Sequence, residues 1–281
     1  MRLASVVLFV AFTALVVSSA ANAEMVYYSQ NFDDTTLFPS TPTPYTFTTT
    51  GVGDAATTEG HWAKNTGTTA NSPIIDTSKY YSGTQSVKLP RPTSGNALYG
   101  TTTNGVAPFD DDQYTASARM YLGDSSISLM YTEALADVLS PSHTAPGLAM
   151  YATHATYGGM IKPWQWNSTS ESWEWGSYVD AVVANDWIGI KFDVDLENYN
   201  YDVLVDVGSG YVEKISNVAL NPNISYAVDT LVFYQQGSTG SYYWVDDCEM
   251  IGPVPEPSTL ALLASGLIGL LAYAWRKRKQ C

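Results

Sequence analysis

Four tryptophans lie within twelve residues of the sequence, in two pairs separated by a polar stretch: Trp164, Trp166, Trp173 and Trp175. If each pair lies on a β-strand, its two rings point to the same side, because side chains alternate along a strand. Residues 167–170 predict a turn, so a hairpin would gather the four rings into one aromatic platform. Sugar rings stack their apolar C–H faces on such platforms. Alternatively, the rings fill the core or brace the hairpin.

The carboxylates near these tryptophans lack the spacing of a glycosidase, which needs two of them flanking the scissile bond. Glu171 and Glu174 are three residues apart, so an extended strand directs them to opposite faces. His61, His143 and His154 lack metal-ligand spacing, and neither a nucleophile elbow nor a phosphate-binding loop occurs. We therefore expect a non-catalytic protein, with a divergent polysaccharide hydrolase as an alternative.

Alternating apolar and polar residues predict the elements that position these groups. From Asp186 to Glu197 the apolar residues share one face and the charged residues share the other. Residues 198–200 then predict a turn, and residues 201–207 a returning strand that ends at 208–210. The other predicted strands are residues 25–31, 86–89, 114–121, 147–153, 173–179, 211–215, 229–235 and 242–251.

Short strands at this spacing, with turn residues between them, are typical of an antiparallel β-sandwich. Ser126–Leu139 predicts one short helix or a long loop, and the Thr-rich residues 35–50 and 66–72 predict surface loops. Of the two cysteines, Cys281 lies beyond a basic C-terminal cluster, so we expect no disulfide with Cys248. One domain of about 230 residues is large enough to fold on its own core.

The first 23 residues have the pattern of a secretory signal peptide. Arg2 precedes an apolar run over residues 3–17, and Ala21 and Ala23 form a small-x-small cleavage site. Cleavage after Ala23 leaves Glu24 as the new N-terminus. The alternative is an uncleaved membrane anchor.

The C-terminal residues 253–281 combine three segments in a fixed order. Pro255, Glu256 and Pro257 precede an apolar stretch over residues 260–275. As a helix this stretch is about 24 Å long, close to the thickness of a hydrocarbon core. Four consecutive basic residues follow and predict a cytoplasmic stop. They are Arg276, Lys277, Arg278 and Lys279.

The arrangement over residues 254–280 resembles the PEP-CTERM sorting signal of exported proteins in Gram-negative, biofilm-forming bacteria. The resemblance implies that Pro255, Glu256 and Pro257 are recognised by an exosortase, an integral-membrane enzyme that processes the tail. It also implies a location at the cell surface or in the extracellular matrix. A plain C-terminal anchor with a proline-rich stalk is the alternative.

The charge of the remaining chain restricts its partners. All 27 acidic residues lie between Glu24 and Glu256, whereas five of the 13 basic residues lie in the terminal segments, so the chain between them carries a formal charge of −19. Such a charge disfavours nucleic acid and anionic lipid surfaces as partners. Neutral ligands and cations remain possible.

Residues 27–251 resemble the concanavalin A/laminin-G-like jelly roll, which occurs in many extracellular carbohydrate-binding modules. Four segments carry the resemblance: residues 30–33, residues 82–89, the hairpin that Trp187 opens, and residues 243–250. The resemblance implies an antiparallel jelly-roll sandwich over residues 24–252. It also implies that the first and last strands pair.

That pairing brings Asp33 and Asp34 near Asp246 and Asp247, and related jelly rolls often carry a structural Ca²⁺ there. Ca²⁺ takes six to eight oxygen ligands, which carboxylates supply. The resemblance therefore implies a calcium site at Asp33, Asp246 and Asp247. Alternatively, these acids face solvent, as we expect for the acidic residues 110–112.

These observations lead to one hypothesis with two alternatives. The first is an exported, non-catalytic surface or matrix protein that binds glycan, the cell's own exopolysaccharide, through the four tryptophans. The second is a structural or adhesive surface protein without sugar binding. The third is the divergent hydrolase.

Overall fold

The computed structural model describes residues 24–38, 40, 49–50, 62–64, 73–89, 97–102, 113–123, 127–133, 145–151, 156–181, 185–223, 228, 230–236 and 242–253. Among these residues, the secondary structure consists of β-strands, and there is no α-helix. No helix in this part of the chain is long and apolar enough to cross a bilayer. The predicted signal peptide (1–23) and the predicted tail helix (260–275) lie outside it.

The strands form two sheets. The first, sheet A, is antiparallel along its main path, and β1 (Glu24–Gln30) pairs with one of its strands, β17 (Tyr243–Pro253). The order across sheet A is β15 (Val212–Ala219), β14 (Asn200–Asp206), β13 (Trp187–Asp195), β7 (Gln113–Tyr121), β17 (Tyr243–Pro253), β5 (Ser86–Leu89) and β4 (Ile74–Asp76).

The second sheet, sheet B, is antiparallel except for the parallel pair of its last two strands. A short strand, β12 (Val179–Asp180), pairs with β10 (Met160–Asn167) outside the main order. That order is β11 (Ser172–Trp175), β10 (Met160–Asn167), β9 (Gly147–Tyr151), β8 (Ile127–Glu133), β16 (Thr230–Gln236), β6 (Ala97–Thr102), β3 (Trp62–Lys64) and β2 (Thr49–Thr50).

The two sheets pack face to face around one buried cluster. Phe192 and Val245 from sheet A lie in the same cluster as Leu148 and Phe233 from sheet B. On β7 and β13, alternate residues enter this core, as the period of a strand requires. The residues 26–252 therefore form an all-β sandwich, as the sequence predicted.

Several predicted elements are confirmed. Strand β13 pairs with β14 through the predicted turn, where the Asn198 amide donates to the Asp195 carboxylate at 3.0 Å. The glycine-containing residues 208–210 end β14, and the Asp206 carboxylate accepts hydrogen bonds from their amides. The expected pairing of the first and last strands, β1 with β17, also occurs.

One prediction about loops is wrong, and a second is wrong at its last two residues. The segment 126–139 was expected to be a helix or a loop, but residues 127–133 form strand β8 between β9 and β16. Met130 and Tyr131 are both buried, on opposite faces, so β8 lacks the polar alternation that would identify a strand. The Thr-rich stretch 35–50 ends in strand β2, which adds to the edge of sheet B.

The Tyr201 hydroxyl ties the two sheets together. It extends from β14 of sheet A across the core, and its proton lies between the carbonyl oxygens of Gly147 at 2.8 Å and Trp164 at 2.6 Å. These two residues are register partners on β9 and β10 of sheet B. The Gly147 amide in turn donates to the hydroxyl at 3.4 Å. Complete burial raises the pKa of Tyr201, so the hydroxyl stays protonated.

Removing this hydroxyl should destabilise the sandwich. Tyr201→Phe keeps the ring but leaves buried carbonyl oxygens without their donor, which costs about 1–3 kcal/mol. We expect the melting temperature to fall by roughly 2–4 °C for each kcal/mol lost. Tyr199→Phe, at a turn where the side chain is 39% exposed, is the matched control. Equal melting temperatures for the two variants would contradict the assigned role.

Candidate functional site

The four tryptophans predicted as a platform lie opposite one another on the hairpin of β10 and β11. Trp164 faces Trp175, and Trp166 faces Trp173. The Asn167 side chain shapes the turn, because its oxygen accepts the amides of residues 169 and 170 at 2.9 and 3.2 Å. The predicted hairpin and its turn are therefore confirmed.

The four rings pack against one another and remain half-buried. The rings of Trp164 and Trp173 are parallel, with centroids 6.2 Å apart, and Trp175 lies tilted against Trp164 at 4.7 Å. Trp166 meets Trp173 edge to face at 5.9 Å. The rings thus brace the hairpin and at the same time keep part of their surface open to solvent.

This platform lies on the face of sheet B that points away from the main core. Trp164 and Trp175 pack on a separate small cluster of three buried residues, Tyr131, Ala149 and Val232. On β10 the intervening residues, Ile161 and Pro163, are buried on the other side. Trp173 additionally touches the main core cluster at the edge of the sheet.

Gly147 gives this face its shape. It lies between Tyr131 and Trp164 in the sheet register. A Cβ on Gly147 would come within 2.1 Å of the Tyr131 ring, so only glycine lets that ring lie flat across β9. The Tyr131 ring is thereby held beneath the platform, where it is 3% exposed.

A second aromatic group, which the sequence analysis did not identify, continues the same face. Tyr151 packs on the same small cluster as Trp164, and its ring centroid lies 5.4 Å from Tyr178 and 6.0 Å from Tyr157. Tyr157 and Tyr178 stack at 4.1 Å, and the Lys162 ammonium lies 4.5 Å from the Tyr178 ring. We call these four residues the tyrosine–lysine cluster.

Hydroxyl groups meet within the tyrosine–lysine cluster. Burial, a hydrogen bond with the Tyr178 side chain and the nearby phenols raise the pKa of Tyr151 to about 12. The Tyr151 phenol is therefore protonated at neutral pH, and phenol hydroxyls act as hydrogen-bond donors and acceptors. Tyr157 and Tyr178 lie in loops, so no strand pattern in the sequence predicts that they contact Tyr151. The sequence indicates only that Lys162 and Trp164, two residues apart, share one face of a strand.

The two glutamates near the platform are directed away from it. Glu174 alternates with the tryptophans of β11, and its carboxylate accepts hydrogen bonds from the amides of Asn167 at 3.0 Å and Gln165 at 3.4 Å. Glu171 is exposed in the turn, with a positive φ of 49°. The two carboxylates therefore do not face each other across the platform.

The carboxylates predicted to bind calcium surround one loop, residues 81–84. Asp33 accepts the Thr84 amide at 2.8 Å, and Asp246 accepts the amides of Tyr81 at 2.9 Å and Ser82 at 3.3 Å. Asp247 accepts the Ser82 hydroxyl at 2.8 Å. The predicted convergence on this region therefore occurs, with the loop between the carboxylates.

This arrangement does not fit a calcium site. The oxygens of Asp33, Asp246 and Asp247 accept hydrogen bonds from the loop, whereas Ca²⁺ requires six to eight oxygens directed at one point. In the described part of the chain, no group of three or more acidic, histidine or cysteine residues is placed to hold a metal ion. The three carboxylates instead fix the loop.

The outer face of sheet A also carries aromatic rings, but cations cover them. The Arg119 guanidinium lies 4.3 Å from the Tyr81 ring and 5.0 Å from the Tyr211 ring, and forms an ion pair with Asp206 at 2.7 Å. A Cβ on Gly189 would come within 2.5 Å of this guanidinium, so a glycine is needed below it. The Arg119 charge is thus paired with Asp206, and its guanidinium covers the two tyrosine rings.

Replacing Gly147 should disturb the platform from below. Gly147→Ala forces the Tyr131 ring to move, and overpacking of this kind costs about 1–3 kcal/mol. We expect a lower free energy of unfolding and a change in tryptophan fluorescence. In a Tyr131→Ala background the same substitution should cost much less, since the clashing ring is gone. Equal costs in both backgrounds would show that the ring contact is not the cause.

Asp246 should make stability depend on pH. Burial, opposed by hydrogen bonds from Tyr81 and Ser82 and reinforced by the Asp247 charge, raises the pKa of Asp246 to about 7. Between about pH 4 and 7 the folded protein therefore holds a proton that the unfolded chain releases, so this contribution to stability is lost as the pH rises. Unfolding in urea at pH 5 and pH 8 should show a smaller pH effect in Asp246→Asn than in the wild type. The exposed Asp193→Asn should keep the wild-type effect; the same loss in both variants would contradict this assignment.

Comparison with known proteins identifies the C-terminal segment. Residues 253–279 match the PEP-CTERM protein-sorting motif, a range that includes Pro255–Pro257 and the basic cluster. The predicted sorting signal is therefore confirmed, and it indicates an exported, membrane-associated surface protein. No curated protein matches the chain.

Solved structures with a similar strand arrangement include three that act on or bind sugars. The carbohydrate esterase vb_24B_21 of Shiga toxin-encoding bacteriophage phi24B has a TM-score of 0.46 and 11% identity, covering 83% of this chain and 100% of its own. The carbohydrate-binding module CBM66 of Bacillus subtilis has a TM-score of 0.41 and 8% identity, covering 73% and 99%. The VIP36 exoplasmic/lumenal domain, in its Ca²⁺/Man3GlcNAc-bound form, has a TM-score of 0.44 and 12% identity, covering 63% and 85%. These likenesses are too distant to assign a role to any residue of this chain.

Proposed function

We propose that this chain is an exported, non-catalytic surface protein whose sandwich binds extracellular polysaccharide through the tryptophan hairpin of sheet B. One observation carries the proposal: four half-buried tryptophans lie in register on one hairpin of sheet B, and Trp164 and Trp175 pack on a cluster outside the main core. A stable fold does not require four large rings on an outer face. Their partial exposure leaves ring surface that a ligand can cover.

Stacking and hydrogen bonding provide the physical basis of recognition. The apolar C–H faces of pyranose rings fit the surfaces of Trp164 and Trp175, and dispersion and desolvation stabilise the contact. The phenol hydroxyls of the tyrosine–lysine cluster, on the same face, donate and accept hydrogen bonds of the kind that sugar hydroxyls form. Rings that already brace one another lose little side-chain entropy on binding.

The sorting tail supports an extracellular polysaccharide as the ligand. The PEP-CTERM motif and the predicted signal peptide are typical of exported proteins, so the proposed ligand is the exopolysaccharide of the cell's own matrix. We further propose that an exosortase of a Gram-negative host processes the tail. The sandwich is proposed to be a concanavalin A-like jelly roll, which the pairing of β1 with β17 supports. Calcium is not part of the proposal.

The position of the glutamates favours binding over hydrolysis. Glycosidases place two carboxyl groups on either side of the scissile bond, about 5–9.5 Å apart. Glu174 is held by Gln165 and Asn167 on the side of the hairpin opposite to the rings. A sugar stacked on Trp164 therefore has no access to this carboxylate.

A structural or adhesive role is the second candidate. The tryptophans stack on one another, and Trp173 also contacts the main core. If the tryptophans serve only to pack the fold, substituting them lowers the stability of the protein without changing its affinity for any ligand.

Glycan binding by the full chain, purified in mild detergent, tests the proposal. We expect Trp164→Ala/Trp166→Ala to weaken retention on polysaccharides of the host matrix by at least about tenfold, or 1.4 kcal/mol. Trp187→Ala is the matched control, since Trp187 is a half-buried tryptophan on the outer face of sheet A. It should retain wild-type affinity.

Other outcomes of the same experiment separate the alternatives. A lower melting temperature with unchanged retention would favour the structural role. Turnover of the polysaccharide that disappears in Glu174→Gln would favour the hydrolase. No retention of the wild type by any polysaccharide would refute the proposed function.

A further inference from the structure

The tryptophan platform and the tyrosine–lysine cluster form one continuous surface. Trp164, Trp175 and Tyr151 pack on the same three-residue cluster, and Tyr151 contacts both Tyr157 and Tyr178. Lys162 and Trp166 lie four residues apart on β10, or about 13 Å at the rise of a strand. The surface is therefore long enough to contact several sugar residues of one chain.

The two ends of this surface differ in chemistry. The hairpin end consists of indole rings. The other end combines one ammonium group with three phenol hydroxyls, of which those of Tyr151 and Tyr178 share a hydrogen bond. The Lys162 ammonium is held 4.5 Å from the Tyr178 ring, and the structure gives Lys162 no ion pair with any described residue. Both ion pairs in the described part of the chain belong to sheet A.

Phenol hydroxyls next to an ammonium group favour the binding of an anion. Phenol hydroxyls and an ammonium group donate hydrogen bonds, and charge-assisted bonds to a carboxylate are about twice as strong as neutral ones. An aromatic ring beneath the ammonium stabilises its charge at a partly desolvated site. The remaining ammonium N–H groups can then bind a ligand oxygen.

We propose that the polysaccharide is acidic, and that Lys162 with Tyr151, Tyr157 and Tyr178 binds the carboxylate of a uronic acid residue while neighbouring sugars stack on the tryptophans. This inference rests on the proposed function and specifies its ligand class. The formal charge of −19 between Glu24 and Glu256 repels an anionic chain elsewhere on the surface. Recognition is therefore local to this cluster, and at 0.15 M salt a screening length of about 8 Å limits the repulsion from distant acids.

The experiment compares each polyuronate with its own carboxyl-reduced form, which keeps the sugar chain and removes the charge. Alginate and polygalacturonate are the probes, and binding to the full chain in detergent is measured by isothermal titration calorimetry at 0.15 M salt. We expect the acidic form of at least one probe to bind at least about tenfold more tightly than its reduced form.

Variants assign this preference to the cluster. Lys162→Met keeps the aliphatic stem and removes the charge, so the preference for the acidic form should fall to within about twofold while the reduced form binds as before. Lys162→Arg should retain most of the preference. Lys191→Met removes a lysine of sheet A and should bind like the wild type. Trp164→Ala should weaken both forms equally, because stacking does not depend on the carboxylate.

The outcomes separate this inference from the proposed function. Equal binding of acidic and reduced forms, or a Lys162→Met variant that keeps the preference, would overturn the acidic ligand while glycan binding stands. The same holds if only neutral matrix polysaccharides bind. If no polysaccharide binds at all, both the proposed function and this inference fail.

Discussion

Side-chain alternation along β10 is the constraint on which the site depends. Ile161 and Pro163 enter the interior of the sandwich, so Lys162, Trp164 and Trp166 are directed to the opposite face. The Tyr201 hydroxyl holds this strand at the Trp164 carbonyl from the other sheet. A shift of one residue would bury the indoles in the core and expose Ile161. The residues that β10 buries in the core therefore also determine which of its residues lie on the outer face.

The sequence predicted the elements that neighbouring residues determine. It did not predict the contacts and strands that depend on residues far apart in the chain. The hairpin of Trp164 and Trp175 was predictable because the i, i+2 spacing and the turn at Asn167 occur within a few residues. Strand β8 was missed because it is buried on both faces, which removes the alternation that identifies a strand. The meeting of Tyr151 with Tyr178 was also missed, since it depends on the path of loops and not on a periodic pattern.

The acidic residues around the loop 81–84 show a different limit of prediction from sequence. Their approach to one region was predicted from the pairing of the terminal strands, and that pairing occurs. What the residues do there depends on which donors reach their oxygens, and residue type does not reveal this. Gly83, with φ of 60°, lies so close to Asp33 that a Cβ would overlap the carboxylate. The loop thus enters between the acids, and its backbone amides take the place that an ion would need.

The two outer faces of the sandwich contain similar residues, and they differ in how most of their cations are paired. Lys79 also lies over a ring of sheet A, 4.2 Å from the Tyr121 centroid, without an ion pair among the described residues. On sheet A, Arg119 and Lys88 stack on tyrosines and also pair with Asp206 and Asp76, so their charges are already compensated within the protein. On sheet B, Lys162 stacks on a tyrosine without a carboxylate among the described residues within ion-pair distance. A compensated cation gains little from an external anion, because an existing pair must first be broken. An uncompensated cation beside stacked indoles would gain both charge pairing and stacking from an acidic sugar chain, which is the reason for proposing the binding role for sheet B.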